Sequence, residues 1–275
     1  MKMKKLNQQE KRAVEELKDY LSASKCQYFL AYETGSQLVG LANEHSDVDF
    51  YVFYVPTKLE ILTQSMSREQ FVQLDNCEVK LVAIPEMFHL VEQGDPNVIE
   101  TFFQAPLLQS QHIDGHKIDN QLANLAEVFY QNRNLLPYLS NGLFIKSCLW
   151  MMRKNIRKLR PSKHYLGNGT FGKTLFEYLK EYKYASKFLH QSQKRQVAET
   201  EKIFFPNEKE IAQLKKYKNM HNFDKHAKQQ VLNKYDYKKL RQDYRIAKNR
   251  HVFSRNDKMM REVLQQLVAE TPVYY

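Results

Sequence analysis

The stretch from residue 26 to residue 56 constrains the fold more than any other part of the chain. Residues 26–33 (CQYFLAYE) are a short aromatic-rich run, which predicts a buried strand. The run meets Thr34-Gly35-Ser36, a turn signal, and a short helix candidate follows over 37–42. Residues 47–55 (DVDFYVFYV) are β-branched and aromatic and stop at Pro56, which predicts a second strand. Side chains alternate along a strand, so Asp47 and Asp49 project to one side. Two carboxylates there cost stability by repulsion and desolvation unless a cation sits between them. Magnesium relieves that cost, because it is a hard ion that takes carboxylate and phosphate oxygens. A Gly-Ser turn opening onto a helix offers backbone amides to a phosphate, and Gly35 lets the backbone come close. These parts fit a site for a metal and a nucleoside triphosphate.

The rest of the chain divides in two. Residues 5–22 have the spacing of an amphipathic helix, with Leu6, Val14, Leu17 and Leu21 on one side. A helix is expected over 67–74, a strand over 78–84 and a helix over 85–91. Gly94-Asp95-Pro96 breaks that helix, and another begins at residue 97. Beyond about residue 110 strand signals fade. Residues 117–131, 140–160 and 171–192 carry helical spacing, and 207–250 are polar, consistent with solvated helices and turns. The expectation is an α+β chain: a small mixed-sheet domain over 1–112, then a mostly helical, basic domain over 113–275.

Charge follows the same division. Through Asn132 there are 11 Lys+Arg and 19 Asp+Glu; the remainder carries 31 and 12, for a net charge of +11. An acidic part suited to metal ions and a basic part suited to a polyanion is one reading, and a solvated helical surface is the other. No apolar run approaches the ~20 residues that cross a bilayer. The basic start, Met1-Lys2-Met3-Lys4-Lys5, has no apolar segment after it, so a cytoplasmic protein is expected. Cys26, Cys77 and Cys148 are scattered, without the spacing of a disulfide framework or zinc knuckle. Walker A, GxGxxG and GxSxG patterns are lacking, which argues against P-loop, Rossmann and serine-hydrolase readings.

The stretch Gly35-Ser36-Gln37-Leu38-Val39-Gly40, followed by Ser46-Asp47-Val48-Asp49, resembles the signature of the polymerase-β nucleotidyltransferase superfamily. More narrowly, the chain resembles a bacterial and phage family of stand-alone predicted nucleotidyltransferases, some associated with RNA repair. Gly94-Asp95-Pro96-Asn97-Val98-Ile99-Glu100 is similar to that family's Gly-Asn-Pro-Asn-x-x-Glu segment. Residues 139–160 resemble its basic helix, and Gly172-Lys173 its Gly-Lys segment. The resemblance covers about residues 28–190 and implies a palm-like catalytic sheet. It implies a third metal carboxylate from a later strand, at Glu78, with Asp75 as the alternative. Apart from the resemblance, Glu78 reads as a strand-end acid or a partner of Lys80. Lys173 is implied to reach the triphosphate. The family's usual arginines and tyrosine are replaced by Gln37, Val39 and Tyr51, and its second Arg-Gly by Tyr51-Val52.

What the resemblance implies is two-metal nucleotidyl transfer. Asp47, Asp49 and Glu78 would hold two Mg²⁺ (or Mn²⁺) ions, and Gly35, Ser36 and Lys173 would bind the NTP. The run Lys146, Arg153, Lys154, Arg157, Lys158 and Arg160 places cations along one helical stripe. With Tyr165 and Tyr178 beside it, that stripe suits an RNA acceptor, the tyrosines stacking bases. Transfer to a small molecule or a protein remains the alternative acceptor. A catalytically weak nucleotide- or nucleic-acid-binding regulatory module remains the alternative class.

Overall fold

The computed structural model describes residues 6–24, 26–38, 42, 46–104, 106–109, 127, 129–139, 141–159, 170–189, 197–205, 207–218 and 225–250. They form two compact units. One is built from Met1–Glu92 with Asn97–Arg133, the other from Gln93–Pro96 with Asn134–Asn256.

The first unit is a helix on a mixed sheet. Helix α1 (Gln8–Ala23) starts in a capping box, in which Asn7 accepts from the Glu10 amide and Glu10 accepts from the Asn7 amide. Its buried stripe is Ala13, Val14, Leu17 and Leu21. Strands β1 (Tyr28–Thr34), β2 (Val48–Tyr54), β3 (Glu69–Gln73), β4 (Cys77–Ala83) and β5 (Leu108–Gln109) form one sheet in the order β3-β4-β2-β1-β5. β2 and β4 are parallel, whereas β1–β2, β3–β4 and β1–β5 are antiparallel. The stripe of α1 packs on Val48, Phe50 and Val52 of β2 and on Cys77, Val79 and Leu81 of β4. Fully burying each such aliphatic side chain contributes ~1.5–3 kcal/mol. The opposite face is aromatic: Phe53 stacks on Phe102 at 5.5 Å, Phe102 on Phe129 at 4.7 Å, and Tyr32 meets both Phe53 and Phe102 edge-on.

Short helices link the strands: α2 (Gly35–Leu38), α3 (Lys58–Leu62), α4 (Ile84–Glu92) and α5 (Pro96–Thr101). One expectation fails here. The helix expected over 67–74 is the edge strand β3, paired with β4 through Phe71↔Lys80 and Val72↔Val79. Its five residues carry too little periodicity to tell a helix from a strand, and pairing across the Asp75-Asn76 turn decides the matter. Glu16 of α1 fixes that turn by accepting the Asp75 and Asn76 amides at 2.7 and 2.9 Å.

The second unit is helical: α6 (Leu136–Leu139), α7 (Asn141–Leu159), α8 (Thr170–Leu189), α9 (Val197–Phe204), α10 (Glu208–Lys218), α11 (Lys225–Lys234) and α12 (Tyr237–Asn249). Its core is an aromatic cluster of Tyr138, Phe144, Tyr184, Phe188 and Phe204. Gly94 belongs to this unit. At φ +69° a Cβ on it would meet the Phe144 amide nitrogen at 2.5 Å and the Phe144 Cα at 2.7 Å. Close approach to α7, beyond the breaking of a helix, is what requires glycine there. The chain is thus α+β, a mixed sheet with a mostly helical second unit. Among the described residues no helix is long and apolar enough to cross a membrane.

Candidate functional site

At one end of the sheet, β1, α2, β2 and β4 bring several of the expected residues together. β1 ends at Thr34, whose register partner on β2 is Asp49. The Thr34 hydroxyl donates to the Asp49 carbonyl oxygen at 3.3 Å. The chain then turns at Gly35 with φ +71°, in the left-handed region that favours glycine, and enters α2 with Ser36 at its start. A Cβ on Gly35 would lie 2.2 Å from Asp49 Oδ2 and 3.2 Å from Asp49 Cγ. The bare face of Gly35 is the cradle in which the Asp49 carboxylate rests.

On the other side of β2, Asp49 is in register with Glu78 of the parallel strand β4. Register partners in a parallel pair share a face, and neighbouring strands lie ~4.8 Å apart. Asp49 is half-buried, Glu78 is exposed, and Asp47, exposed, stands one residue before β2. Asp75 sits instead in the β3–β4 turn, with its amide bound by Glu16. Lys80 pairs with Glu69 at 2.9 Å, so the ion pair between Glu78 and Lys80 considered from sequence is replaced by one to the edge strand.

The positions where arginines were expected have other work. Gln37 is buried, and its amide donates to the Ser46 carbonyl oxygen at 3.5 Å; Gln9 of α1 donates to the same oxygen at 3.1 Å. Both hold the segment that delivers Asp47. Tyr51 lies one step along the face from Asp49 and carries the Lys80 ammonium 4.9 Å above its ring. Cys77, beside Glu78, is buried. Burial, then the charge and hydrogen bond of Glu16 and the charge of Asp49, push its thiol up to about 12. It stays a neutral thiol at pH 7.

The donors fit magnesium in kind: Asp47, Asp49 and Glu78 are all hard carboxylate oxygens. In arrangement the fit is partial. Asp49 and Glu78 are neighbours, but among the described residues no three His, Cys, Asp or Glu side chains gather as ready metal ligands.

The basic stripe lies on α7. Lys146, Arg153, Lys154, Arg157 and Lys158 are exposed along one side, while Phe144, Ile145, Cys148, Leu149, Met152 and Leu159 face the core. Arg160 and Tyr165 lie outside the described residues, as does the side chain of Lys173, whose backbone is in the first turn of α8. Tyr178 does not serve as a stacking surface. It is 1% exposed on the core side of α8, with its hydroxyl donating to the Tyr235 carbonyl oxygen. The exposed aromatic on the α7 stripe is Trp150, which sequence reasoning passed over. It is 60% exposed and has the Lys154 ammonium 5.6 Å from its ring centroid. Its place four residues from both Lys146 and Lys154 was the signal that puts it on the stripe.

No protein-family model matches this sequence, and no curated protein matches it. Among solved structures, the chain is similar to a nucleotidyltransferase-like protein from Exiguobacterium sibiricum 255-15. The two are 9% identical with a TM-score of 0.30, over 94% of this chain and 80% of that one.

Proposed function

We propose that the chain is a metal-dependent nucleotidyltransferase that moves a nucleoside monophosphate from an NTP, ATP among them, to a hydroxyl acceptor, with RNA as the acceptor. The observation that carries this is the Asp49 carboxylate cradled on Gly35 and flanked in register by Glu78. Two acids side by side at a strand end repel each other, and a metal ion bound with phosphates makes use of such a pair. Asp47, Asp49 and Glu78 would hold Mg²⁺. The ion supplies charge neutralisation at the phosphates and lowers the pKa of a bound hydroxyl. Gly35 opens the backbone of the α2 turn to the β- and γ-phosphates, and Ser36 adds a hydroxyl to them. The acceptor hydroxyl gives up its proton to solvent, its oxygen forms a bond to the α-phosphorus, the bond to the bridging oxygen breaks, and pyrophosphate leaves. RNA is favoured by the exposed cations of α7.

The test is transfer of label from α-phosphate-labelled NTPs to total cellular RNA with Mg²⁺. Label should enter RNA, and Asp49→Asn or Glu78→Gln should slow it by ~100-fold or more, the several kcal/mol such an ion supplies. Full transfer by Asp49→Asn would sink the catalytic assignment. Label in protein or small molecules alone would sink the RNA acceptor. The regulatory-module reading keeps one observation on its side, that three metal-binding side chains do not converge among the described residues. An NTP-induced melting shift that ignores Mg²⁺, with no transfer, would favour it.

A further inference from the structure

We infer that α7 carries a binding site for single-stranded RNA, with Trp150 as the stacking platform and Lys146, Arg153, Lys154 and Arg157 as phosphate contacts. The inference deepens the proposed function, because it rests on RNA being the acceptor and states in what form RNA is held.

Three observations support it. First, α7 carries five basic side chains and no acid: its sequence, NGLFIKSCLWMMRKNIRKL, has no Asp or Glu at all. No carboxylate among the described residues forms an ion pair with Lys146, Arg153, Lys154 or Arg157, whereas Lys80, Lys180 and Lys183 each have one. Solvated faces usually interleave both signs, and a face of one sign attracts a polyanion. Second, Trp150, the chain's single tryptophan, stands 60% exposed in the middle of that stripe. Bases stack on exposed indoles, and a nearby cation adds to the contact. Third, the stripe has a useful length. From Lys146 to Arg157 the helix rises about 16 Å, at ~1.5 Å per residue.

The aromatic decides which polyanion fits. A duplex keeps its bases stacked on each other and shows a protein mostly its phosphates, so Trp150 would add nothing to duplex binding. An unpaired strand presents a base face to the indole while its phosphates meet the cations on either side. A membrane surface fits poorly. The apolar side of α7 is spent on the core of its own unit through Phe144, Ile145, Cys148, Leu149 and Met152, leaving one indole to enter lipid.

The single tryptophan makes the experiment direct, because intrinsic tryptophan fluorescence reports Trp150 alone. The full chain, without NTP or Mg²⁺, is titrated with an unstructured oligouridylate of about ten nucleotides. Quenching is expected, and an abasic oligomer of the same length should bind more weakly without it. By anisotropy of a labelled oligomer, Trp150→Ala should weaken binding roughly 5- to 150-fold at unchanged salt dependence, while Trp150→Phe recovers part of the loss. Arg153→Ala with Arg157→Ala should lower the slope of log affinity against log salt by about 1.4 and leave quenching at saturation in place. Equal affinity for an RNA duplex, or an unchanged affinity in Trp150→Ala, would overturn the inference. So would quenching produced by anionic phosphatidylserine vesicles or an acidic peptide and not by the oligomer. Because NTP and metal are left out, loss of transfer in Asp49→Asn does not touch this result, and failure here leaves the transfer assay standing.

Discussion

Replacing Gly35 with alanine tests the geometry of the sheet end most directly. Two costs add at this position. At φ +71° an L-residue pays ~1–2 kcal/mol for the left-handed conformation. The new Cβ would also lie 2.2 Å from Asp49 Oδ2, far inside contact distance, so the carboxylate must swing off its rotamer at ~0.5–1.5 kcal/mol. Together Gly35→Ala should cost about 1.5–3.5 kcal/mol, a fall of roughly 3–14 °C in melting temperature for a chain of this size. The second cost disappears when the carboxylate is absent. In an Asp49→Ala background Gly35→Ala should cost only the ~1–2 kcal/mol of backbone strain. A double-mutant cycle by thermal denaturation should therefore give a coupling energy of ~0.5–1.5 kcal/mol between the two positions. Gly35→Ala should also lose transfer beyond what its stability explains, since the displaced carboxylate leaves Glu78 without its neighbour. A coupling energy near zero, with transfer intact, would refute the cradle.

Two further outcomes follow from packing elsewhere. Gly94→Ala should cost more than Gly35→Ala, ~3 kcal/mol or above, because its Cβ meets the backbone of Phe144 and Leu143, which no rotamer change relieves; thermal denaturation of the two variants side by side ranks them, and the reverse order would contradict the close approach of Gly94 to α7. Burial pushes the Glu16 carboxyl up, but the Asn76 and Asp75 amides and the Cys77 thiol outweigh it and hold it below the ordinary glutamate range. A carboxyl depressed in the folded state stabilises above its unfolded value and loses that contribution as pH falls through the folded one. Glu16→Gln should therefore cost ~0.5–1 kcal/mol at neutral pH, a modest figure because Glu16 is largely solvated. Urea midpoints of variant and parent should converge in acid.

The parts legible in sequence were those where one local rule decides. The β-branched and aromatic run of β2 and its stop at Pro56 gave a strand, and the three- and four-residue spacing of Val14, Leu17 and Leu21 gave α1. Asp49 and Glu78, far apart in sequence, are neighbours only through the parallel register of β2 and β4, which spacing along the chain does not encode. Edge strand β3 was hidden because its partner, not its composition, makes it a strand. The aromatic error had a different cause. Tyr178 falls in the stripe of Leu175, Glu181, Tyr184, Ala185 and Phe188, and that spacing already placed it in the core of its unit. Trp150 falls on the opposite stripe of α7, yet a tryptophan in a helix invites a core reading. The same periodicity, applied to both helices, would have exchanged them.

The two acids at the sheet end present a sharper problem than their spacing alone. Side by side on adjacent strands, at about 5 Å and with water-like screening, two carboxylates repel by ~0.8 kcal/mol. That is a real fraction of the few kcal/mol that hold a domain together. The Thr34 hydroxyl binds the Asp49 carbonyl oxygen, a group any residue supplies, and Glu78 is exposed. A carboxylate kept for structure would lower stability when neutralised. One kept for chemistry should do the opposite, so Asp49→Asn should melt no lower than the parent without metal while transfer is lost. The two effects have opposite signs, and a merely structural role for Asp49 cannot produce both.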